Sequence, residues 1–130
     1  MSTPVQATIR IPLRWRDMDM LGHLNQAVYH EFLEEARGAL LESLPDMEHF
    51  PFVLVRVELD YRSEVRRELG HVDVTAAVER VGRTSITVAH DMLKPDGTVA
   101  ASGRSVLVAW DPRARGARPL TDGERGALGG

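Results

Sequence analysis

Between Val5 and Trp15 apolar residues alternate strictly with polar ones, and from Gln26 they recur every three or four positions. That change of period across one short loop restricts the fold more than any other feature: a half-buried strand stops, turns and hands over to an amphipathic helix. Val5, Ala7, Ile9, Ile11, Leu13 and Trp15 form the apolar side of the strand, opposite Gln6, Thr8, Arg10, Pro12, Arg14 and Arg16. Pro12 has no N–H to give to a ladder, so the strand belongs at a sheet edge or carries a bulge. Asp17 to Gly22 reads as loop, and Asn25 is the expected N-cap because its side-chain oxygen can accept from a first-turn amide. Val28, Phe32, Ala36, Ala39 and Leu40, widened by Leu33 and Leu41, then form one stripe, with Glu31, Glu34, Glu35 and Glu42 on the other face. Pro45 ends the helix, and residues 45–51 form the next connection.

Three further runs alternate with period two. Val53, Val55, Val57, Leu59 and Tyr61 oppose Arg56, Glu58, Asp60 and Arg62; Val72, Val74, Ala76 and Val78 oppose Asp73, Thr75 and Glu79; Ile86, Val88, His90 and Met92 oppose Thr87 and Asp91. Lys94-Pro95-Asp96-Gly97 is a turn, since proline presets the first corner and glycine accepts positive φ. Val99 to Trp110 supplies the last strand, with its apolar side expected at Val106, Val108 and Trp110 and a bulge or curvature at Gly103. The order predicts an α+β fold: one strand, one long helix, then four strands in an antiparallel meander, the helix covering one face of a curved sheet. Residues 1–111 are expected to form the domain, and 112–130, rich in Pro, Gly and Arg, a flexible tail with a short turn near 121–125.

A chain of 130 residues is long enough for one core and one domain. Its net charge of −3 gives no reason to expect nucleic acid as a partner. No apolar run is long enough to span a membrane, and Met1-Ser2-Thr3-Pro4 lacks the parts of a signal peptide, so a cytoplasmic setting is expected. The absence of cysteine excludes disulfides, thiolate nucleophiles and zinc-thiolate sites.

The chemistry is expected at the change of period. The opening N–H groups of a helix lack internal partners and carry the positive end of its dipole, so an oxygen developing negative charge can bind there. Asp17 and Asp19, one residue apart just before such a helix, supply a carboxylate able to act as base or nucleophile. Gly-x-Ser-x-Gly is absent, so no serine-based hydrolase signature competes. His23 and His30 lack companions at metal-ligand spacing, and neither a metal nor a cofactor is expected.

Asp17-Met18-Asp19-Met20-Leu21-Gly22-His23-Leu24-Asn25, followed by Tyr29, by Glu35-Ala36-Arg37 in a long helix and by four strands, resembles the hotdog-fold thioesterases over about residues 5–112. Within them it is most similar to the branch of 4-hydroxybenzoyl-CoA thioesterase and its long-chain acyl-CoA relatives. Gln26 departs from the pattern, where close relatives often carry a second Asn. The resemblance implies hydrolysis of acyl or aroyl thioesters of coenzyme A, with Asp19 as the catalytic carboxylate and a helix-start amide at or beside Gln26 polarising the carbonyl. It implies an acyl group lodged under the helix, the nucleotide on the surface, and homodimers paired edge to edge or doubled into homotetramers. An acyl carrier protein is the alternative carrier, and a non-catalytic acyl-CoA binder the alternative in a different class. A hotdog dehydratase is disfavoured because its His-rich pattern is missing.

Plain readings stand beside these roles. Asp17 in a pre-helix loop is expected to bond the loop or a neighbouring Arg, His23 to shape the loop or orient substrate, and Asn25 to cap the helix or touch substrate. Tyr29 packs, and lines the acyl pocket if that pocket lies under the helix. Glu34 or Glu35 would be the catalyst only if the chain followed the hotdog enzymes that use a helix acid. Arg62, Arg66, Arg67 and Arg83 are candidates for the phosphates of coenzyme A, since guanidinium pairs well with phosphate, although scattered surface arginine is the plainer reading. His71 and His90 are expected in structural roles, and Phe32, Phe52 and Met92 to set pocket depth.

Overall fold

The computed structural model describes residues 5–45 and 51–129; the start of the chain and most of the expected 45–51 connection lie outside them. In order it contains β1 (Gln6–Pro12), α1 (Gln26–Glu42), β2 (Phe52–Tyr61), β3 (His71–Val81), β4 (Ser85–Leu93), β5 (Val99–Asp111), β6 (Gly116–Ala117) and α2 (Asp122–Ala127), with 3-10 turns at Trp15–Asp17 and Arg67–Leu69. The antiparallel sheet runs β1-β3-β4-β5-β2, and β6 adds to the end of β5. α1 buries Tyr29, Phe32, Leu33, Ala36 and Leu40 in one core with Ile11, Val72, Val74, Ile86, Val88 and Met92 of the sheet. This is the hotdog architecture: one long helix wrapped by a single curled sheet. Asn25 caps α1 by accepting from the Ala27 N–H at 3.0 Å, as its position before the stripe predicts. The helix ends at Glu42, ahead of Pro45, where the Ser43 hydroxyl donates to the Leu40 carbonyl at 2.7 Å.

Four expectations are corrected. The strands after the helix are not a simple meander, because β2 pairs with β5 at the far edge and only β3, β4 and β5 follow one another. A tight hairpin needs a loop of about two to five residues, whereas residues 62–70 cross the end of the sheet, burying Val65 on the way. β2 does not keep one phase: the register shifts between Leu54 and Arg56, so Phe52 and Leu54 line α1 while Val57 and Leu59 turn inward only after the bulge. In β5 the buried face is Ala101, Ser105, Leu107 and Ala109, and the bulkier Val106, Val108 and Trp110 are half-buried on the outer face. Ser105 lies where Arg37 of α1 reaches the sheet, and the pairs Val88–Ser105 and Ile86–Leu107 fix that phase. Finally, residues 116–129 are not a loose tail. Thr121 and Glu124 form a capping box at the start of α2, and Leu120 and Leu128 enter the core. The Glu124 carboxylate, 2% exposed, accepts from both Arg118 terminal nitrogens at 2.8 Å.

A buried polar chain ties α1 to three strands. Arg37 Nη1 donates to Ser105 Oγ at 2.9 Å, Ser105 Oγ lies 2.8 Å from His90 Nε2, and His90 Nδ1 lies 3.1 Å from the Thr75 carbonyl. A carbonyl can only accept, so the His90 proton sits on Nδ1, Nε2 accepts from the Ser105 hydroxyl, and the chain runs in one direction. Burial pushes His90 down to about 4. The folded protein therefore binds fewer protons than the unfolded chain between about pH 6.5 and 4, and stability falls as pH drops through that window. The expected loss is roughly 3 kcal/mol. Urea unfolding at pH 7 and 4.5 measures it; His90→Gln should flatten the dependence, and an unchanged slope would refute the assignment.

Candidate active site

The loop between β1 and α1 is built around its two aspartates, which have different surroundings. Asp17, 1% exposed, accepts from Arg14 Nη2 at 2.8 Å and from the Arg14 amide at 2.9 Å. Burial alone would raise its pKa, but these Arg14 hydrogen bonds outweigh it and hold the carboxyl below the usual carboxylate range. Its carbonyl also accepts from the Asn25 N–H at 2.9 Å, fastening the loop to the helix start. Asp19 is exposed. Its Oδ1 accepts from the Leu21 and His23 amides at 2.9 and 3.0 Å, and its own N–H donates to the His23 carbonyl at 2.8 Å. Oδ2 has no protein partner among the described residues. Gly22 makes this tight ring possible by adopting φ 76°, which a side chain rarely accepts.

A few residues on, the first turn of α1 presents its amides. The Asn25 side chain takes the Ala27 N–H and its carbonyl takes the Val28 N–H at 2.9 Å, which leaves the Gln26 amide without a partner among the described residues. Tyr29, one turn on, is buried; burial, then Tyr61 and Asp19, push its phenol pKa upward. Tyr29 and Tyr61 meet edge to face, ring centroids 4.9 Å apart. A cavity of about 450 Å³ opens at Asp19, lined by Trp15, Arg16, Met18, Met20, Gly22, Arg67 and Glu68.

Hydrogen bonds link Asp19 to His23 and Asp17 to Asn25, and Asp19 acts electrostatically on Tyr29. Of the six predicted residues Asp17, Asp19, His23, Asn25, Gln26 and Tyr29, only Asp19 lines this cavity. Of the arginines, Arg67 lines the cavity and Arg66 adjoins it, paired with Glu68. Arg62 bonds Ser102 Oγ at 2.7 Å on the sheet. Arg83 lies beyond the other end of β3, where its carbonyl accepts from the Leu120 N–H. Neither joins Asp19. Among the described residues no group of three or more His, Asp or Glu side chains is arranged to hold a metal ion, and no helix is long and apolar enough to cross a membrane. Phe32 and Met92 are buried in the core, whereas Phe52 lines a groove of about 230 Å³ between α1 and β2 with Leu41, Leu54, Leu107, Glu34 and Arg37.

Two neighbours of the site escaped sequence reasoning. Glu64 Oε2 lies 2.6 Å from His23 Nε2, and Tyr61 packs on Tyr29. Tyr61 carried a signal, as the aromatic end of an alternating run. Glu64 carried none, because its position depends on how residues 62–70 cross the sheet.

A family model of the thioesterase-like superfamily matches residues 13–123. In sequence the chain is similar to the long-chain acyl-CoA thioesterase FadM of Escherichia coli, 30% identical over 118 residues that cover 85% of this chain and 88% of FadM. In structure it is similar to a thioesterase complexed with coenzyme A and Zn from Thermus thermophilus, at 30% identity and TM-score 0.79, covering 93% and 95% of the two chains. A predicted thioesterase from Bacillus stearothermophilus superposes with TM-score 0.81 at 27% identity over 95% and 93%.

Proposed function

Because the chain belongs to the thioesterase-like superfamily and is a thioester hydrolase, we propose that it hydrolyses acyl or aroyl esters of coenzyme A, with Asp19 as base or nucleophile and the Gln26 amide as oxyanion donor. One observation carries the reading: a carboxylate held by one oxygen, its other oxygen unpartnered among the described residues, on a loop fastened to a helix start whose first amide is likewise unpartnered. A thioester carbon is already electrophilic, so the protein must supply a home for the oxyanion and a group that brings water or its own oxygen to the carbon. As base, Asp19 takes a proton from a water that attacks the carbonyl, the C–S bond breaks, and the thiolate of coenzyme A leaves with that proton. As nucleophile, Asp19 displaces the thiolate to form an acyl–aspartyl anhydride, which water hydrolyses to the free acid and Asp19, the released proton passing to the thiolate. The similarity to FadM and to a thioesterase complexed with coenzyme A supports an acyl-CoA substrate; acyl carrier protein is the alternative carrier.

The acyl chain is assigned to a path along α1 and β2 that begins at the Tyr29–Tyr61 pair and ends in the groove lined by Phe52, Leu54 and Leu41. Tyr29 to Leu41 spans roughly 18 Å of helix, room for a long chain. A second copy would close this groove: β2 is an edge strand exposing Val53, Leu54 and Val55, which fits edge-to-edge homodimers, doubled or not into tetramers. We place the protein in the cytoplasm, in keeping with its cysteine-free sequence.

A panel of acyl- and aroyl-CoA esters, followed by release of free thiol, tests the activity. Turnover is expected, and binding without turnover would identify a non-catalytic acyl-CoA binder instead. Arg67 is assigned to the phosphates of coenzyme A. Arg67→Ala should raise KM for acyl-CoA about tenfold, the loss of one charge-assisted contact, and leave a short thioester without the nucleotide unaffected. Equal effects on both would reject that role.

A further inference from the structure

His23 is held at once by its main chain and by its ring. Its N–H donates to Asp19 Oδ1 at 3.0 Å, its carbonyl accepts from the Asp19 N–H at 2.8 Å, and it bridges Arg66 in antiparallel fashion. Next to it the Leu24 N–H donates to the Val65 carbonyl at 2.8 Å. The ring makes a separate close contact, Nε2 lying 2.6 Å from Glu64 Oε2. A carboxylate can only accept, so Nε2 carries a proton and does not serve as a base on water in this arrangement. The His23 and Glu64 side chains are 39% and 50% exposed, and a polar contact so open to water contributes little to folding. Global stability therefore does not account for a contact placed between the 62–70 connection and the residue that grips Asp19.

The geometry points to Glu64 as a positioning residue for thioester hydrolysis: it anchors the His23 ring and thereby fixes the backbone that aims the Asp19 carboxylate at the reacting carbonyl. The inference rests on the reading of Asp19 as the catalytic carboxylate. Beyond His23 the loop tip is unpacked, with Met20, Leu21 and Gly22 exposed, and the Leu21 and Gly22 amides bond only back to Asp19 itself, at 2.9 and 3.1 Å. A catalytic group displaced by about 1 Å can lose about a hundredfold in rate, and removing one tether of several should cost part of that.

The test compares Glu64→Ala, Glu64→Gln, His23→Gln, the double variant His23→Gln/Glu64→Ala and Asp19→Asn, each as the full chain, on the acyl-CoA ester that the wild type turns over best. Glu64→Ala is expected to lower kcat about tenfold, with KM within about twofold and Tm within about 2 °C of wild type. Glu64→Gln, whose amide oxygen still accepts from Nε2, should recover most of the rate. The double variant should be no slower than His23→Gln alone, because Glu64 acts through that ring. A wild-type kcat in Glu64→Ala, no recovery in Glu64→Gln, or additive losses in the double variant would each overturn the assignment. Asp19→Asn separates the two readings: if it is inactive while Glu64→Ala is normal, only the Glu64 role fails, and if it retains full turnover, the Asp19 reading fails and takes the Glu64 role with it.

Discussion

Asp19→Asn should leave the protein folded and lower kcat for acyl-CoA hydrolysis by about 10²–10⁴-fold, the range that a positioned general base contributes. The substitution is nearly isosteric, and the amide oxygen can still accept from the Leu21 and His23 N–H groups that now hold Oδ1. What disappears is the charge on the unpartnered oxygen, so neither proton abstraction nor attack on the carbonyl survives. KM should change little, since Asp19 is not needed to hold coenzyme A. Asp17→Asn acts differently: it weakens a buried bond to Arg14, and its first effect should be on stability. Steady-state rates with thermal unfolding on both variants distinguish the cases, and near-normal kcat in Asp19→Asn would reject the catalytic assignment.

Gly103→Ala should be the most damaging small substitution in the sheet. A Cβ at this position would stand 2.0 Å from the Glu58 carbonyl oxygen and 3.0 Å from the Leu59 Cα, both backbone atoms of β2 that cannot swing aside. β2 would have to move away from β5, breaking pairs on both sides of Leu59–Gly103. A loss of about 3 kcal/mol or more is expected, at the upper end of overpacking effects. Gly38→Ala provides the contrast. It lies within α1, where an added methyl would meet nothing within 4 Å, so it should gain about 0.5–1 kcal/mol from helix propensity. Urea unfolding of both measures the difference, and a Gly103→Ala protein of wild-type stability would show that β2 and β5 do not approach as described.

The candidate site could be proposed from the sequence because its residues are local. Asp19, His23, Asn25 and Gln26 sit within a few residues of one another, and the change from period two to helical spacing locates the loop and its cap directly. The sheet was less legible because its order is not local. Nothing in Val53 to Tyr61 marks this strand as the partner of β5 rather than of β3, and the bulge at Val55 makes an apparently continuous alternation switch faces. In β5 the rule that bulky residues face inward failed: Ser105 faces inward to meet Arg37 of α1, and Val106, Val108 and Trp110 took the other side. The end of the chain misled by composition, since its glycines and arginines concealed a capping box and two anchoring leucines. The place of Glu64 beside His23 depends on the crossing of residues 62–70, which no periodicity records.

The two borders of the sheet are unequal. One is β1, short and mostly polar on its outer side, finishing at Pro12, which offers no N–H, and running straight into a 3-10 turn. The other is β2, longer and fringed with Val53, Leu54 and Val55. Growth by adding strands is therefore available on one flank only, so two copies that join there use up each other's sticky border. Such a pair terminates itself and cannot propagate into a fibre.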